Sequence, residues 1–205
     1  MPSSLEALLE RIAAGTPTPG GGSVSAICGA LSAALSRMVA NLAVGKQGYE
    51  GVQSDLVSIE SRGKALQRRF LDLAEADAKA YDGVVAAMRL PKGTDPERAA
   101  RKDAMQAAYM RATEVPMDTI RAAIEAIELA ELAAEKGNRN AITDVGVAAL
   151  LAQAAMRGAG LNVQINLAAI ADHAWRDSVE ADLKALLQQG AKRSHALHDL
   201  VTSRM

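Results

Sequence analysis

From Thr16 to Ser36 the chain carries no charged side chain, and such a stretch has to be buried. It opens Thr16-Pro17-Thr18-Pro19-Gly20-Gly21-Gly22-Ser23. Prolines stiffen the approach, and the glycines let the backbone turn freely and come close to a ligand. Ser23 then offers an N-cap hydroxyl to a helix whose first N–H groups face back toward the loop. That build suits a polar or anionic ligand, and it serves equally as a plain turn. Ser25, Gly29 and Ala33 recur every four residues and leave a flat strip for close helix packing. The strip predicts a central helix from Ser23 to about Val44, ended by Gly45, inside the chain or at a subunit interface. A membrane span needs about 20 strongly apolar residues. This segment begins with Pro and Gly, is interrupted by serines and is closed by Arg37, so a buried helix is expected instead.

The flanking sequence reads the same way. Leu5, Leu8, Leu9 and Ile12 fall at helical spacing within a short amphipathic helix, Ser3 to Ala14. Gly51 to Met88 is a second long helical pattern, charged on one face. Leu90-Pro91-Lys92-Gly93-Thr94-Asp95-Pro96 marks a turn with a fresh N-cap. A helix follows to about Lys136, and Pro116 should kink or interrupt it. Residues 137–140 form a loop. Thr143 or Asp144 caps a helix to about Met156, and Gly158 and Gly160 punctuate it. Asn162 to Ile170 is a further helical segment, and Trp175 to Val201 is a terminal amphipathic helix. Residues 1–205 therefore form one all-α domain, an antiparallel helical bundle with long, partly kinked helices. Aromatic residues at 2% support this, because strands favour aromatic and β-branched side chains.

The formal net charge of -1 argues against nucleic-acid binding by bulk charge. A single cysteine, Cys28, excludes a disulfide framework or a thiolate metal cluster within one chain and suits a buried, inert thiol. No basic segment followed by an apolar run opens the chain, so the cytoplasm is the expected compartment. His195 and His198, three residues apart, could face one metal, yet their segment reads as a solvated helix and no metal is expected.

Polar groups among small apolar residues are the candidates for chemistry. Asp77 lies in Ala74-Glu75-Ala76-Asp77-Ala78, with Tyr81 one turn on. Asp144 opens a helix, where the simplest reading is a cap. Asn162 and Asn166 share a helical face within a charge-free segment, placed to bridge helices or to read a polar ligand edge. Lys46 follows the central helix, as a solvated terminal lysine or a partner for a ligand carboxylate.

Taken in order, these pieces resemble the cyclodeaminase part of the formiminotransferase-cyclodeaminase family and its stand-alone bacterial relatives, the methenyltetrahydrofolate cyclohydrolases. The resemblance rests on Pro17-Thr18-Pro19-Gly20-Gly21-Gly22-Ser23, Met38-Val39, Gly45-Lys46, Asp77-Ala78 with Tyr81, and Leu90-Pro91-Lys92. It continues through Val115-Pro116, Gly137-Asn138, Thr143-Asp144, Val147-Ala148 and Asn162-Val163 to Ile165-Asn166. Thr143 stands where a serine is expected. The transferase part has no counterpart here.

The resemblance implies a helical homodimer, with higher assembly open, and a folate substrate bound near the subunit interface. Tetrahydrofolate is the substrate carrier, and neither a metal nor a separate cofactor is implied. Cyclohydrolysis of 5,10-methenyltetrahydrofolate to 10-formyltetrahydrofolate is the expected activity. Closure of 5-formiminotetrahydrofolate with loss of ammonia is the alternative, and a non-catalytic folate-binding or scaffold dimer is a rival of another class. Asp144 and Asp77 are the expected acid–base carboxylates. Asn138, Asn162 and Asn166 would hold the pterin. The glycine loop of Gly20, Gly21 and Gly22, with Ser23, would supply backbone donors, Pro19 would be a further substrate contact, and Lys46 or Lys92 would pair with glutamate carboxylates of the tail.

Overall fold

The computed structural model describes residues 4–205, and regular structure among the described residues is helical throughout. Six helices follow in order: α1 (Ser4–Ala13), α2 (Gly21–Asn41), α3 (Gln53–Met88), α4 (Asp95–Lys136), α5 (Ile142–Leu167) and α6 (His173–Ser203). The expected start of the first helix at Ser3 lies outside the described residues.

Where helix ends carry local signals, the signals work. Thr94 Oγ1 accepts the Glu97 N–H while Glu97 Oε2 accepts the Thr94 N–H at 2.9 Å, a capping box with Pro96 in the first turn of α4. Asp172 Oδ1 accepts the Trp175 N–H at 3.0 Å and opens α6. Other expected ends are overturned. α2 begins at Gly21 with Gly20 as its cap residue, so Ser23 sits inside the first turn. α5 begins at Ile142 after a 3-10 turn, Arg139–Ala141, and neither Thr143 nor Asp144 caps it. Gly158 and Gly160 do not end α5, which runs unbroken to Leu167. An interior glycine costs about 1 kcal/mol of helix propensity; Gly158 offsets it by admitting the Ser25 hydroxyl where a Cβ would stand. Pro116 likewise fails to interrupt α4, despite an intrinsic penalty of about 3 kcal/mol for proline inside a helix.

α2, α3, α4 and α5 surround the core, and α6 lies across α4 and α5. Phe70, the one phenylalanine, is fully buried with its ring against Gly29, where no side chain could fit. Burying that ring contributes about 2–3 kcal/mol. The strip of Ser25, Gly29 and Ala33 is therefore internal: it receives α3 and α5 and is not a subunit interface. α2 is long and apolar enough to cross a membrane by length and composition, but one face of it is buried within the bundle, with Ser23, Ser25, Ser32 and Ser36 along that face. Ser25 and Ser36 hydroxyls donate to carbonyls one turn back, which makes them tolerable in that setting.

At the flanks, Arg37 on α2 forks onto Glu60 of α3 at 2.6 and 2.9 Å, and Arg193 on α6 reaches Glu131 and Glu128 of α4. α1 stands apart, and none of its described residues is buried.

Candidate active site

α2 starts late, at Gly21, while α3 and α4 extend beyond it. The space above the first turn of α2 is a cavity of about 460 Å³, within the usual range for small-molecule sites. Gly20, Gly21 and Gly22 form one wall, with Pro17 and Thr18 of the preceding loop at its edge. Asp77, Tyr81, Val84, Val85 and Met88 of α3 form the second wall. Tyr109 and Ala112 of α4, then Asn162, Ile165, Asn166 and Ala169 at the end of α5, complete it. Gln106 fastens this corner: its Nε2 donates to Ala169 O at 3.0 Å and its Oε1 accepts the Ala171 N–H at 2.7 Å.

The anion that the glycine turn holds is the protein's own. The Asp77 carboxylate sits on the first turn of α2, and the Ser23 hydroxyl lies 3.0 Å from Asp77 Oδ2 and 3.0 Å from Ala74 O. One hydroxyl proton serves only one of these acceptors at a time. Burial pushes the Asp77 carboxyl above its ordinary value, and hydrogen bonds from the Ser23 hydroxyl and backbone N–H oppose that rise. The result is a partly desolvated carboxylate at a helix N-terminus, held by Ser23 and facing a cavity of mixed polar and apolar lining.

The asparagines are fixed through their nitrogens. Asn162 Nδ2 donates to Gly158 O at 2.9 Å, and Asn166 Nδ2 donates to Ala112 O at 2.7 Å. Each NH2 thus gives one of its two N–H groups to a carbonyl, and each side chain keeps its Oδ1 acceptor free of any protein donor the structure shows. Together with Asp77 they suit a ligand edge rich in N–H groups.

The other expected residues lie elsewhere. Asp144 is in the first turn of α5, eighteen positions before Asn162, which is about 27 Å along the helix. Within one chain the Asp77–Asp144 pairing does not form. Asn138 is at that far end too, its Nδ2 donating to Leu42 O at 3.2 Å and its Oδ1 accepting the Asn140 N–H at 2.9 Å, both structural bonds. Lys46 lines a separate groove with Gln47, Glu50 and Gln53. Lys92 is exposed in the α3–α4 turn, and Pro19 lies in the glycine loop without lining the cavity. His195 Nε2 is 3.7 Å from Asp199 on an exposed face.

Tyr109, Met88, Val84 and Ile165 were not expected in the site. One signal was available for Tyr109: the chain has only three tyrosines, and two of them, Tyr81 and Tyr109, line this cavity.

Comparison with known proteins gives a consistent picture. The formiminotransferase-cyclodeaminase family profile matches residues 4–185. A methenyltetrahydrofolate cyclohydrolase of Methylorubrum extorquens is 40% identical over 98% of this chain and 97% of its own length. The formimidoyltransferase-cyclodeaminase of Rattus norvegicus is 31% identical over 95% of this chain, which spans 36% of that protein. The crystal structure of formiminotetrahydrofolate cyclodeaminase from Thermotoga maritima superposes with a TM-score of 0.81 at 30% identity, covering 99% of this chain and 95% of that one.

Proposed function

The chain belongs to the formiminotransferase-cyclodeaminase family, and from that premise we propose that it is an enzyme of folate one-carbon chemistry, a methenyltetrahydrofolate cyclohydrolase. The observation that carries the reading is Asp77: a partly buried carboxylate, held by Ser23, on the wall of a cavity with two asparagine acceptors. Near-full-length identity of 40% to the Methylorubrum extorquens relative favours the cyclohydrolase over the cyclodeaminase.

The substrate carries a cationic carbon between N5 and N10. Water adds to that carbon and passes a proton to a base, giving a neutral tetrahedral adduct. The C–N5 bond then breaks as N5 takes a proton and the hydroxyl gives up its own to form the C=O, so 10-formyltetrahydrofolate forms with net release of one proton. Asp77 is placed to take the water proton and return it to N5, a use to which an elevated carboxyl pKa is suited. Asn162 and Asn166 accept N–H groups of the pterin, and Tyr81 and Tyr109 flank its ring. Proton transfers of this kind call on no metal or redox cofactor, and the cytoplasm is the compartment proposed.

The reading takes residues 1–205 as one domain, an antiparallel bundle. Ser25 meets Gly158 near one end of the α2–α5 pair, and the Asn138 N–H donates to Val39 O at the other. It also takes the working unit as a homodimer, with higher assembly open. Leu31 and Met38 on α2 and Leu42 at its end, with Val147, Leu150, Leu161 and Ile165 on α5, are exposed along the outer faces of these neighbouring helices. Such a patch suits a second copy. Ile165 belongs both to this patch and to the cavity lining, so the site lies beside the shared face.

Purified enzyme supplied with 5,10-methenyltetrahydrofolate should consume its chromophore faster than buffer does. With 5-formiminotetrahydrofolate, released ammonia and a growing methenyl chromophore would identify the cyclodeaminase instead. Folate binding without either turnover would identify a binding protein.

A further inference from the structure

In an α-helix the N–H of residue i bonds to the C=O of residue i−4. Pro116 has no N–H, so the carbonyl of Ala112 is left without a donor in its own helix. Ala112 lines the cavity, and the donor that reaches its oxygen is Asn166 Nδ2, from α5, at 2.7 Å. Nearby carbonyls keep the i+4 N–H of their own helix and take a hydroxyl besides. Tyr109 O takes the Thr113 hydroxyl and Val115 O takes the Thr119 hydroxyl, both from α4 itself. Because the partner is a carbonyl, only the NH2 group of Asn166 can face it, and this bond fixes which end of the amide is left for a ligand.

We propose that Pro116 is a positioning residue: by keeping the Ala112 carbonyl open, it anchors the Asn166 amide so that Oδ1 faces the cavity as an acceptor for a pterin N–H. The role assigned to the acceptor rests on the folate reading; the link between Pro116 and Asn166 does not. A proline well inside a long helix is otherwise poorly placed, and here it stands one turn from a site wall. Restoring an N–H at position 116 and removing the ring would draw Ala112 O back toward its own helix and make the Asn166 amide share it, loosening the amide's hold.

The test is Pro116→Ala, with Pro116→Ser as the stand-in should the alanine protein be insoluble. Melting temperature should hold or rise, because the helix regains a good helix former. KM for 5,10-methenyltetrahydrofolate should rise about tenfold with kcat changing much less, the size expected for one misplaced hydrogen bond. Asn166→Ala should give a similar rise, and adding Pro116→Ala to it should add nothing. A purely structural proline would change stability and leave KM alone. A KM within twofold of wild type, or an equal further rise in the Asn166→Ala background, overturns the proposal. A substrate-free measurement separates this from the assignment of activity. The Asn166 side-chain NH2 should show slowed hydrogen exchange by 15N NMR in the wild type and free-amide exchange in Pro116→Ala. Unchanged exchange overturns the link even if the enzyme turns over neither folate.

Discussion

Gly22 and Asp77 approach so closely across the α2–α3 contact that a Cβ at position 22 would fall within the Asp77 carboxylate. The first turn of α2 and the site's acid are therefore one unit. The glycine is there to admit a side chain from its own chain.

Gly22→Ala should displace the carboxylate from its place beside Ser23. We expect a loss of about 2 kcal/mol in denaturant unfolding, typical of an overpacked contact, together with loss of most turnover. Gly21→Ala is the control, since a Cβ there meets only Asn162 Nδ2 at an ordinary 3.8 Å. A Gly22→Ala protein that keeps wild-type turnover would remove Gly22 from the site's construction.

Asp77→Asn should lower kcat by about a hundredfold or more, the usual scale of an acid–base group. It should also stabilise the protein at neutral pH. Burial raises the Asp77 pKa in the folded state, so ionisation disfavours folding. That penalty is absent below the ordinary carboxylate range and is fully expressed above the raised value. A melting temperature about 2 °C above wild type at pH 7, converging with wild type near pH 4, is the expected pattern. A variant less stable than wild type at every pH would contradict it.

Asp144 lies at the far end of α5, so if it acts, it acts in the partner's cavity. A two-fold axis across the exposed α2–α5 face would bring each protomer's far end toward the other's site. Mixing inactive Asp77→Asn and Asp144→Asn proteins under subunit exchange should then recover about a quarter of wild-type activity, since random association gives half heterodimers with one intact site each. No recovery from two inactive parents would confine each site to one chain. A fully active Asp144→Asn parent would dismiss Asp144 outright.

Glu60→Gln tests the outer clamp between α2 and α3. The Arg37 guanidinium, with help from Asn41, holds the Glu60 carboxyl below its ordinary value. This pair contributes stability above the ordinary carboxylate range and loses it as pH falls through the lowered value. The variant should be about 1 kcal/mol less stable at pH 7, with the gap closing in acid and activity retained.

The legible parts of the sequence were those with local causes. The turn at residues 90–96 declares itself through a capping box and Pro96, and the long helices through their apolar spacing. The misread parts depend on partners far along the chain. Ser23 looks like a cap until Asp77, fifty-four positions on, takes its hydroxyl. Gly158 looks like a break until Ser25 occupies its missing side chain. Asp77, Asn162, Asn166 and the glycines line one cavity, whereas the unbroken length of α5 holds Asp144 and Asn138 at its opposite end and Lys46 lies in a separate groove beyond α2. Val84, Met88 and Ile165 carry no chemical signature, and only the fold shows that they line the cavity.

A helix N-terminus ordinarily draws anions, yet here the start of α2 is already neutralised by Asp77. The polarity of the pocket is thereby reversed: an incoming phosphate or carboxylate meets repulsion, and a delocalised cation meets its counter-ion. On the function proposed, the reacting one-carbon unit enters positively charged and leaves neutral. The same side chain would then govern both admission and turnover, since the attraction that seats the reactant vanishes with the reaction itself.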